Sequence, residues 1–384
     1  MVKIKKLKIG IVCYPSVGGS GIVATGLGSE LARLGHDVHF ISYEEPFLLD
    51  KSLPNIFFHQ VELNGYALFK YPDYTLPLAV KMVEVGAKHK LDIMHVHYAV
   101  PHATAALLAK NIAKAQKLHF PSVVTTLHGT DITLLARDKN LMPVIKYSIE
   151  DSCGVTAVSE SLKQDTLKVL ETKKEIQVIH NFYNPKKITK NVDEVRKSLG
   201  IAPKDFVVIH LSNLREVKRI PDLLQVVAQL KGEKHIKLLI LAGGDFAPYV
   251  PLAQKLGIED KIIIQKNVID VENYINVADV GLYTSGEESF GMGILETMSY
   301  GKPVLATNAG GISEFMQDGQ TGFLFDVGSV DGFAKKLLEL SKDGELVKKL
   351  GENAKVRASS GFSGDKTVSD YLDYYQAILE TDQN

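Results

Sequence analysis

The sequence predicts an α/β protein built from two doubly wound, parallel-sheet domains. Three observations carry that expectation. Apolar, β-branched runs alternate with amphipathic stretches, the pattern of strands covered on both faces by crossover helices. The alternation halts once, in a polar, lysine-rich, proline-punctuated stretch from Asn181 to about Pro203, and then restarts. The length, 384 residues, exceeds what most single cores hold.

Taken in order, Lys8 to Cys13 reads as a buried strand, followed by a glycine loop and a helix to about Leu34. Gly35-His36-Asp37 stops that helix, and Val38 to Ser42 is the next strand. Further strands are expected at Ile93 to Val96, Ser122 to Leu127, Val155 to Val158 and Gln177 to Ile179. The stretch after Asn181 reads as an interdomain linker with one short helix. The second series of strands is Phe206 to Leu211, Ile236 to Ala242, Lys261 to Ile264, Val280 to Tyr283 and Pro303 to Ala306. Val368, Tyr371, Leu372 and Tyr375 have helical spacing, so a final helix is expected to pack back on the first domain. The expected boundaries are 1–182 for the first domain and 183–364 for the second, with residues 365–384 returning to the first. Two such units imply a cleft, and ligands of such sheets bind beyond the carboxyl ends of the strands.

A hydrophobic content of 45%, a charged content of 23% and a net charge of −1 place the chain in the soluble globular class, with no bulk drive toward nucleic acid or anionic lipid. Cys13 and Cys153 are the only cysteines, which argues against a disulfide framework or zinc ribbon and suits a reducing cytoplasm. No apolar run is long enough to span a membrane. Lys110, Lys114 and Lys117 form a basic stripe, read as a solvated face and not a membrane anchor. A homo-oligomer is compatible with the sequence.

The chemistry concentrates in a few runs. Glu288 and Glu296 bracket Ser289-Phe290-Gly291-Met292-Gly293 in what reads as a loop opening into a helix. Glycines at a helix start let backbone N–H groups approach an anion, and ionised carboxylates accept hydroxyl protons. That arrangement suits a nucleoside diphosphate sugar: pyrophosphate between a sugar and a ribose. Asn213-Leu214-Arg215-Glu216-Val217-Lys218-Arg219 follows the first strand of the second domain, and its three cations suit a pyrophosphate. In the first domain, Gly19-Ser20-Gly21-Ile22-Val23-Ala24 matches the dinucleotide fingerprint G-x-G-x-x-A, and Glu44 and Glu45 lie near the distance of a ribose-binding acid. An NAD-dependent dehydrogenase is therefore the competing reading. Tyr14-Pro15-Ser16-Val17 lengthens the loop beyond the tight turn that fingerprint needs, which favours an acceptor-binding loop. His128-Gly129-Thr130-Asp131 follows another strand. His95 and His97 share a strand face near His102, but no acid is placed to complete a metal site.

With these runs assembled, the chain resembles the retaining glycosyltransferases of family 4, over essentially its whole length. The resemblance implies the GT-B fold, two Rossmann-like domains facing a cleft, and a metal-independent reaction. Glu288 and Glu296 match the family's E-x7-E pair, the first acid at the donor sugar and the second at the ribose. Lys218 matches its pyrophosphate lysine. The arginine usually five residues earlier is here Asn213, so Arg215 or Arg219 is expected to supply the second cation. Gly19 matches the N-terminal glycine loop and His128 the histidine near the reacting sugar. Catalytic roles accordingly fall to His128, Glu288 and Lys218. Donor contacts are expected from Asn213, Arg215, Lys218, Arg219, Val268, Glu288, Phe290, Gly291, Met292, Gly293 and Glu296. Cys13 to Gly21, Phe69-Lys70-Tyr71-Pro72, His95-Val96-His97-Tyr98, His128 to Thr133 and Ser212 to Arg219 narrow the resemblance to members that use UDP-N-acetylglucosamine as donor and L-malate as acceptor in bacillithiol biosynthesis. That implies acceptor contacts from Gly19, Ser20, Tyr98 and Thr130, with Arg137 a candidate for a carboxylate. Other readings are a family 4 enzyme with a different sugar or sugar-phosphate acceptor, and a nucleotide-sugar sensor without transfer activity.

Overall fold

The structure, a computed structural model, describes residues 6–16, 18–63 and 73–382. Val17 and the run Phe69-Lys70-Tyr71-Pro72 lie outside the described residues. The chain divides into two units, Met1–Asn181 with Gly364–Asn384, and Phe182–Ser363.

The first unit carries a parallel sheet of seven strands: β1 (Lys8–Val12), β2 (Asp37–Ser42), β3 (Ile56–Gln60), β4 (Ile93–His97), β5 (Ser122–Leu127), β6 (Gly154–Ala157) and β7 (Gln177–Val178). Their order across the sheet is β3-β2-β1-β4-β5-β6-β7. The order reverses between β1 and β4, where a doubly wound sheet opens its ligand crevice. Helix α1 (Gly19–Arg33) follows β1 and helix α2 (Thr75–His89) follows β3. Gly28 brings α1 against the sheet, since a Cβ there would stand 2.3 Å from the Phe40 ring.

The second unit repeats the plan with β8 (Phe206–Ser212), β9 (Ile236–Ala242), β10 (Ile262–Lys266), β11 (Val280–Tyr283), β12 (Val304–Thr307) and β13 (Gly322–Phe325). Their order is β10-β9-β8-β11-β12-β13, again all parallel and again reversing beside the first strand. Its core runs from Val208, Leu238, Ile240 and Leu282 on the strands to Leu223, Val227, Phe333 and Leu337 on the helices.

Two features differ from the sequence expectation. The edge strands β3 and β13 were not anticipated: they alternate or stay half-covered where the inner strands are continuously buried. The stretch after Asn181, expected as a linker, belongs to the second unit. Asn273 accepts from the backbone N–H groups of Thr189 and Lys190, and the Tyr300 hydroxyl accepts from that of Lys186. Its short helix, Val192–Ser198, is capped by Asn191, whose side chain accepts from Asp193 N.

The C-terminal helix, Gly364–Asp382, returns to the first sheet. The Tyr374 hydroxyl accepts from Val155 N (2.9 Å) and donates to Val155 O (3.2 Å), while Tyr371 reaches Thr126 Oγ1 at 3.1 Å.

Candidate functional site

In the second unit, the expected donor residues gather on loops at the carboxyl ends of β8 and β11. Helix Met292–Ser299 starts at the residue after Gly291, whose φ of 108° a side chain rarely adopts. Glu296 therefore stands just past one turn into this helix. Gly293 lets the first turn lie on the end of β8, because a Cβ there would meet Leu211 O at 2.7 Å. The loop before the helix is pinned through Glu288, whose carbonyl accepts from Gly311 N at 2.9 Å. A Cβ on neighbouring Gly310 would meet that carbonyl at 2.0 Å.

This loop is stitched to the 213–219 loop. Gly286 N donates to Val217 O, and the Thr284 hydroxyl donates to the carbonyls of Lys218 and Arg219. The stitching places Lys218 Nζ 2.5 Å from Glu288 Oε2, with both side chains mostly covered at 17% and 14% exposure. Behind them the buried His210 ring reaches Leu282 O and Ser212 Oγ, and Ser212 Oγ accepts from Leu214 N. His210 is a support that sequence reasoning missed, since nothing marks it within an apolar strand.

The remaining cations separate. Arg219 sits in the left-handed region (φ 49°) and is tied to Asp222 at 2.7 Å. The Asn213 amide oxygen, in its hydrogen-bonded orientation, accepts from Arg215 Nε at 2.9 Å and Nη2 at 3.3 Å. Asn213 thus holds a guanidinium beside the position where the family arginine stands. Val268 lies half-buried in the loop after β10, Phe290 is buried against Phe315, and Met292 is half-buried. Glu296 is buried, and desolvation raises its carboxyl to about 7, Lys186 opposing the shift. Tyr183 and Tyr300 share a hydroxyl contact at 3.2 Å and lie within electrostatic reach of Glu296.

In the first unit, the loop between β1 and α1 folds back on the helix. A Cβ on Gly21 would stand 2.4 Å from Ser16 O. Gly19 and Ser20 open the helix, and Ser20 Oγ accepts from the Tyr98 hydroxyl at 2.9 Å. Tyr98 follows β4 with φ 85°, a strained conformation that such sites tend to store. His128 stands half-buried after β5, its ring 5.1 Å from that of Tyr98 and its Nε2 2.8 Å from His97 Nδ1. Burial holds the His128 imidazole down at about 3, so the ring is neutral. Asp131 ties the two loops together by accepting from Ala99 N and Gly129 N. Its carboxyl is raised to about 6 by burial against those hydrogen bonds. Asp131 was read only as part of a run, and its tying role is visible only in three dimensions. Thr130 begins the short helix Thr130–Thr133, and Arg137 lies exposed in the turn Leu135–Arg137.

The first-domain histidines form a supporting column. His95 spends both ring nitrogens, on Tyr375 and on Thr126, each at 2.6 Å, and stacks on His97 at 4.5 Å. That leaves His95 no lone pair for a metal in this arrangement. Lys110 pairs with Asp151, and Lys117 ends its helix in the left-handed region, so the basic stripe is partly spent on the fold.

The glycosyltransferase family 4 model matches residues 17–187, and that of glycosyl transferases group 1 matches residues 191–357. The N-acetyl-alpha-D-glucosaminyl L-malate synthase of Bacillus anthracis is 43% identical over 381 residues, 99% of either chain. The chain belongs to the family 4 glycosyltransferases. Among solved structures, Anabaena HepE with UDP and glucose aligns at a TM-score of 0.78 and 20% identity, over 96% of this chain and 99% of that one. A Rickettsia africae glycosyltransferase aligns at 0.79 and 24%, over 98% and 99%. At those identities they speak to the fold, which is GT-B. Membership disfavours the dehydrogenase reading of the glycine loop, and β1 and α1 indeed leave a longer connection, Cys13 to Gly18, than a dinucleotide turn. No helix of the described residues is long and apolar enough to cross a membrane.

Proposed function

We propose that this transferase moves N-acetylglucosamine from UDP-N-acetylglucosamine to the hydroxyl of L-malate, with retention at the anomeric carbon, as the first step of bacillithiol biosynthesis in the cytoplasm. The observation that carries this reading is the 43% identity, over nearly the whole of both chains, to a named GlcNAc-malate synthase.

The geometry supports a division of labour. Lys218 and a neighbouring arginine neutralise the departing pyrophosphate, with backbone N–H groups at Gly291 to Gly293 adding partial charge. An incoming diphosphate competes for Lys218 and so releases Glu288 to accept from sugar hydroxyls. Glu296 accepts from the ribose. His128, neutral and weakly basic, hydrogen-bonds near the reacting carbon and is not the main base. The leaving phosphate takes the malate proton on the same face, which gives retention. Ser20, Tyr98 and Thr130 hold the malate, and Arg137 serves a carboxylate. Protein cations do the work of a metal in this scheme, so activity survives EDTA.

A UDP-release assay over a panel of donors and acceptors tests the reading. UDP-N-acetylglucosamine with L-malate should give the highest kcat/KM. Lactate lacks one carboxylate and D-malate misplaces the hydroxyl, so both should be poor, because a site built for two carboxylates leaves buried donors unpaired. The anomeric proton coupling of the product reports retention. A sugar phosphate or lipid outcompeting L-malate rejects the acceptor while leaving the transferase intact. Loss of activity in EDTA that Mg²⁺ restores rejects the charge-neutralisation scheme.

A further inference from the structure

Among the described residues, three histidines converge at the β2–β3 edge of the first sheet, away from everything assigned above. His39 comes from β2, His59 from β3 and His89 from the last residue of α2. The register sets Ile41 opposite His59 and His39 opposite Phe57, so His39 and His59 are diagonal neighbours on one face. His39 Nδ1 and His59 Nε2 are 2.9 Å apart. The His89 ring lies 4.5 Å from that of His39 and 5.2 Å from that of His59. One ring nitrogen from each residue falls within 4.8 Å of the other two. Metal–nitrogen bonds of about 2.0–2.1 Å in tetrahedral geometry set ligand nitrogens about 3.3 Å apart, so small ring rotations suffice.

We propose that His39, His59 and His89 form a divalent-metal site of the imidazole-binding class, with zinc the best-matched ion, separate from the transfer chemistry. Imidazole binds metal only when neutral, and all three rings are held in that form. Burial leads in each case, taking His39 to about 3 and His59 to about 4 and lowering His89; the neighbouring imidazoles and lysines add to it. Lys8, Lys81 and Lys88 oppose a cation here, while Asp37 and Glu84 favour it. Glu84 is within electrostatic reach of both His59 and His89 and pairs with Lys81 at 2.7 Å, so it can turn to the metal or leave the fourth position to water. The His89 carbonyl accepts from Lys8, the first residue of β1, whereas the glycine loop leaves the opposite end of that strand. The register sets His39 opposite Gly10 and His59 opposite Ile41, so the site lies across the face of the β2–β3 edge, and none of its three histidines belongs to the donor and acceptor reading.

The test uses the full chain without an affinity tag, stripped with EDTA and dialysed. Titration with ZnCl2 should show one equivalent bound per chain and a raised thermal midpoint. Co²⁺ should give the visible bands of a tetrahedral site, and UDP release should be the same with and without metal. His59→Gln and His89→Gln should each weaken Zn²⁺ binding by more than about tenfold, the loss that even an outer-shell partner causes, with UDP release unchanged. Circular dichroism checks that the variants fold. If they do not, X-ray absorption on the zinc-loaded wild type decides, three histidine nitrogens supporting the site. The proposal is overturned if wild type takes up no stoichiometric Zn²⁺, if uptake survives both substitutions, or if the absorption spectrum lacks histidine ligands.

Discussion

At the carboxyl edge of the first sheet, the assigned side chains are mostly hydroxyls and an imidazole that burial keeps neutral. At the same edge of the second sheet they include two carboxylates and a lysine, with two arginines on the adjoining loop. The two sheets share a parallel, doubly wound plan, so the fold does not set this difference. The strand-end loops do. The first half holds its loops with neutral hydrogen bonds, Tyr98 to Ser20 and His97 with His128, and with a single buried acid, Asp131. The second half holds its loops with backbone bonds and the Thr284 hydroxyl, and carries paired charges between them, as in the 2.5 Å pair of Lys218 and Glu288. A neutral pocket suits orienting a hydroxyl nucleophile; a charged one suits a leaving diphosphate. Functional contrast between the halves should appear as different losses on mutation.

The largest loss is expected at Lys218. Lys218→Ala removes a partly buried cation and leaves Glu288 without its partner. The cost should be about 2–4 kcal/mol of transition-state stabilisation, read as kcat/KM in UDP release. A loss of less than about tenfold would mean that the second half does not stabilise the leaving group through this lysine.

Glu296 should give the next effect, with a distinctive pH signature. Its carboxyl is raised from an ordinary 4.5 to about 7 by burial. Below about pH 4.5 it is protonated both folded and unfolded. As pH rises toward 7, the unfolded chain ionises first while the folded one retains the proton, so this contribution to stability is lost. The thermal midpoint of wild type should therefore decline across that window relative to Glu296→Gln. The same substitution should weaken UDP binding by about 1.5–3 kcal/mol, the range for hydrogen bonds to a charged group. Calorimetry showing unchanged UDP affinity would remove Glu296 from the ribose.

In the neutral half the losses should be smaller and should fall on the other substrate. Tyr98→Phe deletes the hydroxyl that bonds Ser20, and Thr130→Val deletes one at a helix start. Each should cost about 0.5–1.5 kcal/mol, seen in the KM for malate more than in that for the sugar nucleotide. Equal shifts in both constants would erase the contrast between the halves.

The contrast also explains what could be read from sequence. Inner strands such as Ser122–Leu127, Ile236–Ala242 and Val280–Tyr283 match the expected limits because burial on both faces leaves a run dominated by apolar and β-branched residues. Edge strands β3 and β13 lack that run. That the 213–219 and 284–296 runs would come together was legible, because glycines and acids at that spacing mark loops at strand ends. The supports were not: His95 is saturated by Thr126 and by Tyr375, which is 280 residues away, and no local pattern carries such a pairing.

The smallest effect is expected at Arg219, one of two arginines that compete for one role. Asn213 replaces the family arginine, and its neutral amide accepts from the Arg215 guanidinium, drawing a cation to the vacated place. Arg219 is instead bound to Asp222 three residues on and is 41% exposed. Exposed pairs of that kind contribute about 0–1 kcal/mol. Arg219→Ala should therefore be nearly silent in UDP release, while Arg215→Ala should approach Lys218→Ala. Asn213→Ala should reproduce part of the Arg215 loss, because the guanidinium loses its acceptor while the charge remains. If Arg219→Ala is the damaging substitution, the charge comes from the helix start and Asn213 is not its anchor. If both are silent, Lys218 and the backbone N–H groups at Gly291 to Gly293 carry the diphosphate without a second side-chain cation.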